Sequence, residues 1–466
     1  MQYISTRGMA ASKPFKKILL EGLAEDGGLY VPGRLPSLSP EEWNGLAGKD
    51  YVSVALAVLS KLASDIPPDD LKRLLEDTYV SGSFETPVVP LQQLDDDIWL
   101  MKLSQGPTLA FKDIALQLVG RLMSYVLEEQ GGELNILGAT SGDTGSAAAH
   151  AIRGRDNLRL FMLSPKDRMS PFQRAQMYTL DEPNIFNLVV EGTFDDCQNV
   201  VKAVNADATF KAQFNIGAMN SINFARIAAQ IVYCFWACRM MAGWDKRRVS
   251  FGIPSGNFGN ALAAHMAGMM GAPIGQVIVA TNENDVLDEF FRTGIYRPRK
   301  GEEVHITSSP SMDIALASNF ERYVFELFGG RGDLLRAEWE RLDSDGCLDL
   351  APPFQVFGGP EVVSGKATQA EVLDTIRMAH REYGIIIDPH TAIAMKVGLE
   401  RRSKESPLVI AETAQPAKFE ATIREALGID PPRPTGYENI ESLPEQVTHI
   451  AADPDRVKEF IRAHAA

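Results

Sequence analysis

Apolar residues follow two alternating patterns along the middle and the end of the chain. Stretches with apolar residues at helical spacing are separated by short apolar runs of strand length. The helical spacing predicts helices at residues 114–130, 145–152, 171–178, 195–204, 219–241, 260–270 and 417–427. The short runs predict strands at residues 134–137, 158–163, 187–190, 249–253, 277–280 and 407–411.

Strands that alternate with helices in this way indicate βαβ units and a mostly parallel sheet. Ligands of such folds bind at the carboxyl ends of the strands, so the loops that follow strands are the places to search for function. Residues up to about 90, which include Pro67-Pro68 and Pro87, predict a separate N-terminal helical domain. Residues 300–405 give only two helical stretches, at 334–342 and 371–383.

The charge balance restricts the partners of the protein. Its 466 residues include 46 lysines and arginines and 61 aspartates and glutamates, for a net charge of −15. Because nucleic-acid binding relies on neutralising phosphates with basic residues, we expect no nucleic-acid partner. A small anionic ligand remains compatible with this charge, provided that its pocket is locally basic.

Cysteine usage and the apolar runs bear on the compartment. Four cysteines in a chain of this length do not make a disulfide framework, and the composition fits a reducing compartment such as the cytoplasm. Cys234 and Cys238 are interpreted as core residues, and we expect no metal site. The N-terminus lacks the apolar core of a signal peptide, and the run 227–237 is too short to span a membrane, so no membrane partner is expected.

The first candidate for chemistry is Lys112, at the junction of the Gly106-Pro107-Thr108 loop and an apolar helix. Apolar surroundings disfavour the charged form of a lysine, and the neutral amine is a nucleophile that can form a Schiff base. A solvated lysine near a helix start is the ordinary alternative.

Two loops between a strand and a helix are candidate anion sites. The first, residues 138–146, carries Ser141 and Thr144 beside free backbone N–H groups at a helix start. The second, residues 254–260, is rich in Gly and Asn, which allow the backbone to wrap around a phosphate. It matches neither the Walker A loop nor the dinucleotide fingerprint. The alternatives are an ordinary helix cap for the first loop and a tight βα turn for the second.

Three further positions have both a functional and a structural interpretation. Arg226 follows Asn220-Ser221 in an apolar helix, where a buried guanidinium needs either a phosphate or a carboxylate as its partner. Thr413 lies between the last strand and its helix and is a candidate cap. For His390, we favour a structural role.

Several segments, taken together and in this order, resemble one enzyme family. They are residues 4–8 (ISTRG), 22–32 (GLAEDGGLYVP), 194–199 (FDDCQN), 309–314 (SPSMDI) and 318–322 (SNFER), in addition to the loops above. They resemble the threonine synthases of the longer type with an extra N-terminal domain, which are fold-type-II enzymes dependent on pyridoxal 5′-phosphate (PLP). The resemblance covers nearly the whole chain.

The resemblance implies an α/β fold with two parallel-sheet domains and a helical N-terminal domain. We place the N-terminal domain at residues 1–90, the large PLP-binding domain at 91–130 and 206–466, and the small domain at 131–205. The implied reaction converts O-phospho-L-homoserine and water to L-threonine and phosphate. We expect the protein to be a monomer or a homodimer.

The family roles fall on matching positions of this chain. Lys112 would be the catalytic lysine that carries PLP as a Schiff base, and Thr413 would hydrogen-bond the pyridine nitrogen. The other residues expected to bind PLP are Asp143, Gly256, Asn257, Phe258, Gly259 and Asn260. The residues expected to bind the substrate are Ser141 and Thr144 near its carboxylate, and Asn220, Ser221 and Arg226 at its phosphate.

Two positions depart from the family pattern, which has His where this chain has Gln105 and Gln415. Glutamine keeps hydrogen-bonding ability but cannot exchange a proton near neutral pH. This leaves open a related PLP enzyme that acts on another phosphorylated or γ-activated amino acid. A threonine or serine dehydratase would not need a second phosphate site, and an inactive binding protein would not need Lys112.

Overall fold

The N-terminal region combines one pair of antiparallel strands with four helices. In the computed structural model, which describes residues 1–82, 84–167, 169–241, 248–350, 356 and 358–465, these elements are β1 (Tyr3–Ser5), α1 (Phe15–Glu21), β2 (Tyr30–Pro32), α2 (Pro40–Gly45), α3 (Tyr51–Leu62) and α4 (Pro68–Tyr79). Their caps follow ordinary rules: the Ser39 and Asp50 side chains accept hydrogen bonds from the first turns of α2 and α3. The region is mainly helical, as its sequence predicts.

The rest of the chain alternates strands with helices. The strands are β3 (Leu91–Asp95), β4 (Ile98–Lys102), β5 (Leu134–Ala139), β6 (Leu158–Pro165), β7 (Ile185–Val190), β8 (Ile216–Gly217), β9 (Val249–Pro254), β10 (Ile274–Thr281), β11 (Ile295–Tyr296), β12 (Leu348–Asp349), β13 (Glu361–Lys366), β14 (Leu408–Glu412) and β15 (Thr448–Ile450). The helices are α5 (Lys112–Gln130), α6 (Asp143–Ile152), α7 (Pro171–Tyr178), α8 (Phe194–Ala206), α9 (Ala208–Gln213), α10 (Phe224–Met241), α11 (Gly259–Met269), α12 (Val286–Thr293), α13 (Phe320–Leu327), α14 (Gly332–Asp345), α15 (Gln369–Tyr383), α16 (Pro389–Arg401), α17 (Glu420–Leu427) and α18 (Pro454–His464).

Two sheets divide these strands. A six-stranded sheet has the order β13-β10-β9-β14-β4-β3 and is parallel except at its β3 edge. A five-stranded sheet has the order β15-β7-β6-β5-β8 and is parallel throughout. Every residue of β9 and β14 is buried, which explains why their sequences are mostly apolar. The α/β fold with two parallel sheets and an N-terminal helical region is confirmed.

Most of the predicted elements are present with small differences at their ends. The largest difference is at α10, which begins at Phe224 rather than at 219 because the Asn223 side chain accepts a hydrogen bond from the Ala225 N–H at 3.0 Å. The elements that were not predicted include the largely buried β4, α13 and α16. Asp388 caps α16 and Pro389 occupies its first turn, so the signal for this helix was present in the sequence.

The five-stranded sheet takes two strands from the range that we placed in the large domain. β8 pairs with β5, and β15 pairs with β7 on the other side of the sheet. Strands of two and three residues carry too little pattern to reveal pairing partners that lie 81 residues away for β8 (216 − 135) and 260 residues away for β15 (448 − 188). The domain boundaries themselves stay a prediction.

Cys234 and Cys238 are buried in α10, as predicted for core residues. Within the described residues, no helix is both long enough and apolar enough to cross a membrane.

Arg322 at the start of α13 joins the N-terminal region to the rest of the protein. Its guanidinium is fully buried and donates to the carbonyls of Tyr30 at 3.0 Å and Ile222 at 2.7 Å. It also donates to the side chain of Asn319. The neighbouring Glu321 accepts from Thr6 at 2.5 Å, so both residues tie the first strands to α13.

We expect Arg322→Met to destabilise the protein by about 2–4 kcal/mol, because it leaves buried carbonyls without donors. Urea unfolding measures the loss. The control is Arg331→Met, which removes an arginine that is 60% exposed and should change the free energy of unfolding by less than about 0.5 kcal/mol. Equal effects of the two substitutions would contradict the anchoring role of Arg322.

Candidate active site

The carboxyl ends of four strands supply the loops of the candidate active site. β9, β14 and β4 are consecutive strands of the six-stranded sheet, and β5 belongs to the five-stranded sheet. The loop after β4 leads into α5, whose first residue is Lys112. The loops after β5 and β9 lead into α6 and α11.

Backbone pairing brings Lys112 next to Thr413. Ala110 and Ala414 form an antiparallel bridge. The Phe111 N–H donates to the Thr413 carbonyl at 2.9 Å, and the Gln415 N–H donates to the Leu109 carbonyl at 3.0 Å. The loops after β4 and β14 therefore form one rigid unit.

This unit requires a glycine at position 106. The buried Asp113 side chain accepts from both the backbone and the hydroxyl of Thr108, at 2.8 and 2.7 Å. A Cβ on Gly106 would lie 2.4 Å from the Asp113 Cβ. The turn before Lys112 is therefore packed directly against a carboxylate, and burial raises the pKa of Asp113 to about 6.

The Lys112 amine lies in a nearly closed polar pocket. Its Nζ is 3.1 Å from the Ser311 hydroxyl and 3.5 Å from Asp143 Oδ2, and the side chain is 11% exposed. Burial lowers the pKa of Lys112, Asp143 opposes this, and the charges of Lys418 and Arg226 lower the pKa further. Lys112 is mostly buried, but its amine contacts polar and charged side chains rather than the apolar surroundings that the sequence predicted.

Asp143 is the first residue of α6 and contacts two lysines. Its Oδ1 is 2.8 Å from the Lys418 Nζ and accepts from Gln173 at 2.9 Å. Its Oδ2 faces Lys112 and accepts from Ser311 at 3.2 Å. Burial disfavours the charge of Asp143, but the two lysines and these hydrogen bonds hold its pKa well below the usual range.

The loop after β5 places two predicted substrate residues beside Asp143. The Thr140 hydroxyl accepts from the N–H groups of Gly142 and Gly145 at 3.0 and 2.9 Å, and so takes the role of a helix cap. Ser141 and Thr144 are half-buried, and their hydroxyls are not used for that cap. The cap uses the Thr140 hydroxyl, and the Ser146 hydroxyl donates to backbone carbonyls of the same loop, which leaves the hydroxyls of Ser141 and Thr144 available to a ligand.

The loop after β9 is shaped to hold an anion. A Cβ on Gly256 would lie 2.9 Å from the Ser311 carbonyl, so only glycine fits, and Phe258 has a positive φ of 64°. Among the described residues, the buried Ser255 hydroxyl and the buried Asn260 side-chain NH₂ have no hydrogen-bond partner. Buried polar groups normally have partners, so these donors at the start of α11 indicate a missing acceptor.

The predicted phosphate-binding residues adjoin this loop. Ser221 contacts Ser318 at 3.0 Å, and Ser318 in turn donates to Asn257 at 3.0 Å. Asn220 is exposed beside them.

Arg226 is 4% exposed, and burial lowers its pKa to about 10. Within the described residues, the only hydrogen bond of the Arg226 guanidinium goes to the Met219 carbonyl at 3.4 Å, and the Nε atom has no partner there. Arg226 does not form the structural salt bridge that was the alternative interpretation, since no carboxylate of the described residues lies within ion-pair distance of it.

The residues after β14 form a hydrogen-bonded chain that reaches back to β4. Gln415 Nε2 donates to the Ser104 hydroxyl at 3.0 Å, and Ser104 donates to the buried Glu412 at 2.5 Å. Thr413 is buried, and its backbone N–H donates to the Thr391 hydroxyl at 3.3 Å. Gln415 thus orients its neighbours. Gln105, whose carbonyl accepts from Glu85, is half-buried beside them.

His390 has a structural position, as expected. Its Nδ1 is 2.8 Å from Asp388, the cap of α16, and its ring contacts that of Phe419.

The site is basic although the protein is acidic. Lys112, Lys418 and Arg226 meet there, and Asp143 is the only carboxylate of the described residues within ion-pair distance of any of them. An anionic ligand of a protein with a net charge of −15 needs a locally basic pocket, and this local excess of positive charge provides it.

These residues fit PLP by their own chemistry. A buried amine, Lys112, is available to the aldehyde, and unpaired donors surround a loop whose shape excludes a side chain at Gly256. The buried Thr413 lies across the backbone pairing from Lys112, and its hydroxyl remains the predicted partner of the ring nitrogen.

Three contacts of the site were missed from the sequence. Lys418, Gln173 and Ser311 all bond to Asp143, yet they come from separate segments of the chain. Lys418 lies five residues after Thr413, and its apolar neighbours were the one available signal for a buried lysine.

Burial raises the pKa of Glu412 to about 7, whereas an unfolded glutamate titrates near its ordinary lower value. Between these values the folded protein binds the additional proton, so the stability contributed by Glu412 falls as pH rises. We therefore expect the free energy of unfolding of Glu412→Gln, relative to that of the wild type, to be higher at about pH 8 than at about pH 5, by at most about 3 kcal/mol.

Urea unfolding at both pH values tests this prediction. The control is Glu459→Gln, at a glutamate that is 60% exposed, for which the difference from the wild type should not change with pH. A Glu412→Gln difference that is the same at both pH values would contradict the raised pKa.

Family models match almost the whole chain. Residues 2–79 match the threonine synthase N terminus, residues 81–340 the pyridoxal-phosphate dependent enzymes, and residues 391–461 the threonine synthase C-terminal region.

Individual relatives match over their full length. The chain is 49% identical to a threonine synthase of Methylobacillus glycogenes, with 100% of both chains covered. It is 35% identical to the threonine synthase of Saccharomyces cerevisiae, over 99% of this chain and 95% of that one. A PLP-bound threonine synthase from Brucella melitensis has the same fold, with a TM-score of 0.95, 41% identity and coverage of 100% and 99%. With these similarities and a site that fits PLP, the chain belongs to the threonine synthase family of PLP-dependent enzymes.

Proposed function

We propose that this site converts O-phospho-L-homoserine and water to L-threonine and phosphate. The observation that carries the proposal is Arg226, a buried guanidinium with no carboxylate within ion-pair distance among the described residues, in the same pocket as Lys112. A buried cation without a counter-ion is costly, and a phosphate suits the planar geometry of a guanidinium. A substrate that carries both an amine and a phosphate meets both needs.

The cofactor is held by residues from three loops. Lys112 would bind PLP covalently, and Gly256, Asn257, Phe258, Gly259 and Asn260 would hold its phosphate at the start of α11. When bound, PLP withdraws electrons from the substrate carbon atoms next to the amine. Thr413 would bond the ring nitrogen through a neutral hydroxyl, which does not fix a proton there as a carboxylate would.

Lys112 is the group best placed to move protons at the substrate. Burial lowers the pKa of Lys112 and so favours its neutral amine, and a neutral amine can accept a proton from carbon and return it. Asp143 and Ser311 fix the position of this amine from two sides.

The substrate would lie between two anion sites. Ser141 and Thr144, at the start of α6, would bind its carboxylate through hydroxyl and backbone groups. Arg226, Asn220 and Ser221 would bind its phosphate and receive the phosphate as it leaves. The pocket would then bind the two negatively charged groups of the substrate, its carboxylate and its phosphate, at separate places.

The compartment and the assembly stay predictions. We expect a reducing compartment such as the cytoplasm, and a monomer or a homodimer.

The proposal is tested by release of phosphate from O-phospho-L-homoserine by the PLP-loaded protein, with threonine measured in parallel. We expect equal amounts of the two products, and loss of both in Lys112→Ala. Phosphate release without threonine would contradict the proposed reaction. Activity that persists in Lys112→Ala would contradict the role of Lys112.

Arg226→Met should reduce kcat/KM for the phosphorylated substrate by roughly 10²-fold or more, mainly through KM, because a charged hydrogen-bond partner of the phosphate is lost. The visible absorbance of bound PLP should remain. Arg239→Met, at the other end of α10, is the control and should leave KM unchanged. Loss of PLP rather than of substrate affinity would assign Arg226 to the cofactor instead.

Gln105 and Gln415 decide between this substrate and another phosphorylated or γ-activated amino acid. Gln415 donates within a chain that ends on Glu412, which is a positioning task that glutamine can perform. We therefore expect the double variant Gln105→His/Gln415→His to turn over O-phospho-L-homoserine no more than about threefold faster than the wild type. A gain of 10²-fold or more, the usual size of a general acid–base contribution, would instead favour a different natural substrate.

A further inference from the structure

Lys418 is a buried lysine that the proposed reaction does not use. It lies in the short 3₁₀ turn Pro416–Phe419 after β14, and its side chain is 0% exposed. A buried ammonium is retained only where its partners compensate for the loss of water. Here the Nζ lies 2.8 Å from Asp143 Oδ1 and donates to the Thr108 carbonyl at 2.7 Å.

The partners of Lys418 fix it independently of any ligand. Ser170, at the cap of α7, donates to the Lys418 carbonyl at 2.9 Å. The Thr108 carbonyl that accepts from Lys418 also accepts from Gln176 at 3.1 Å. Lys418 is therefore held from the β4 loop, from α6 and from α7.

Asp143 receives unequal contacts from the two lysines. The Lys418 Nζ is at 2.8 Å, on the oxygen that also accepts from Gln173, whereas the Lys112 Nζ is at 3.5 Å from the other oxygen. At that longer distance Asp143 can orient the Lys112 amine, while its charge is already paired with Lys418.

The other charged groups near these residues do not change this balance. Arg226 faces Lys112 and adds positive charge. Asp113 lies in the field of Lys418, but its carboxylate oxygens accept from Thr108. Burial lowers the pKa of the nearby His150 to about 4, so this histidine is neutral.

We infer that Lys418 is a positioning residue for Lys112: it pairs with the charge of Asp143, so that Asp143 orients the Lys112 amine without keeping it protonated. This rests on the proposed function only in taking Lys112 as the reacting amine. A single carboxylate between two buried lysines leaves one of them without a full counter-charge, and the geometry selects Lys112.

The test measures the protonation of Lys112 without using activity. The full chain, freed of PLP, is labelled with acetic anhydride across a range of pH, and mass spectrometry of the Lys112 peptide gives the midpoint of its reactivity. We expect Lys418→Met to raise the midpoint by about one pH unit or more, which slows labelling of Lys112 near neutral pH by about tenfold. Asp143→Asn should lower the midpoint instead.

Control variants separate this role from a general loss of structure. Lys418→Arg retains the positive charge and should keep the midpoint within about 0.3 unit of the wild type, as should Lys166→Met at a lysine that is 45% exposed. In the Asp143→Asn background, Lys418→Met should raise the midpoint less, because only the direct repulsion between the two lysines remains and the part that passes through Asp143 is absent.

Three results would overturn the inference. They are an unchanged or lowered midpoint in Lys418→Met, a raised or unchanged midpoint in Asp143→Asn, and the same rise for Lys418→Met in both backgrounds. If Lys418→Met does not fold, Lys418→Gln replaces it in both backgrounds, with the same expected rise of the midpoint. Since labelling needs neither PLP nor substrate, failure to make threonine would contradict the proposed function and leave this test intact.

Discussion

The site depends on one buried carboxylate that is shared between two lysines. Asp143 draws together Lys112 at the end of the β4 loop, Lys418 after β14, and Gln173 on α7. Each of these side chains would be costly to bury alone, and each is satisfied by the same group. Because the partners come from both sheets, this cluster also sets how the loops of one sheet lie against those of the other.

The sequence carried the fold and the principal chemical groups but not the contacts between them. The two anion loops could be found because strand and helix patterns place them at strand ends. Lys112 could be found because a loop meets an apolar helix there, and Arg226 because it lies in an apolar helix. Lys418 and Ser311 could not be assigned to the site. Their contacts with Asp143 depend on tertiary packing across roughly 170 to 280 residues of chain. Local patterns show the periodicity of apolar residues, and this periodicity does not indicate which side chains come into contact in the folded protein.

The same limit explains some of the structural differences. β4 is a different case: it was missed although it carries a short apolar run of the kind that predicts the other strands, and it is a largely buried strand beside β14. β8 and β15 are shorter still and take their places through pairing with β5 and β7. The cap of α16 shows the opposite case, in which a clear local signal was present at Asp388.

The pairing of β15 with β7 has a consequence for synthesis of the chain. While the ribosome is still adding residues, β5, β6 and β7 can emerge and pair, but the outer edge of β7 has no neighbour until Thr448–Ile450 has been made. An open edge of a parallel sheet can pair with other chains. The nascent protein must therefore pass through a stage at which this edge is bare, and chaperones that shield strand edges would act on it there.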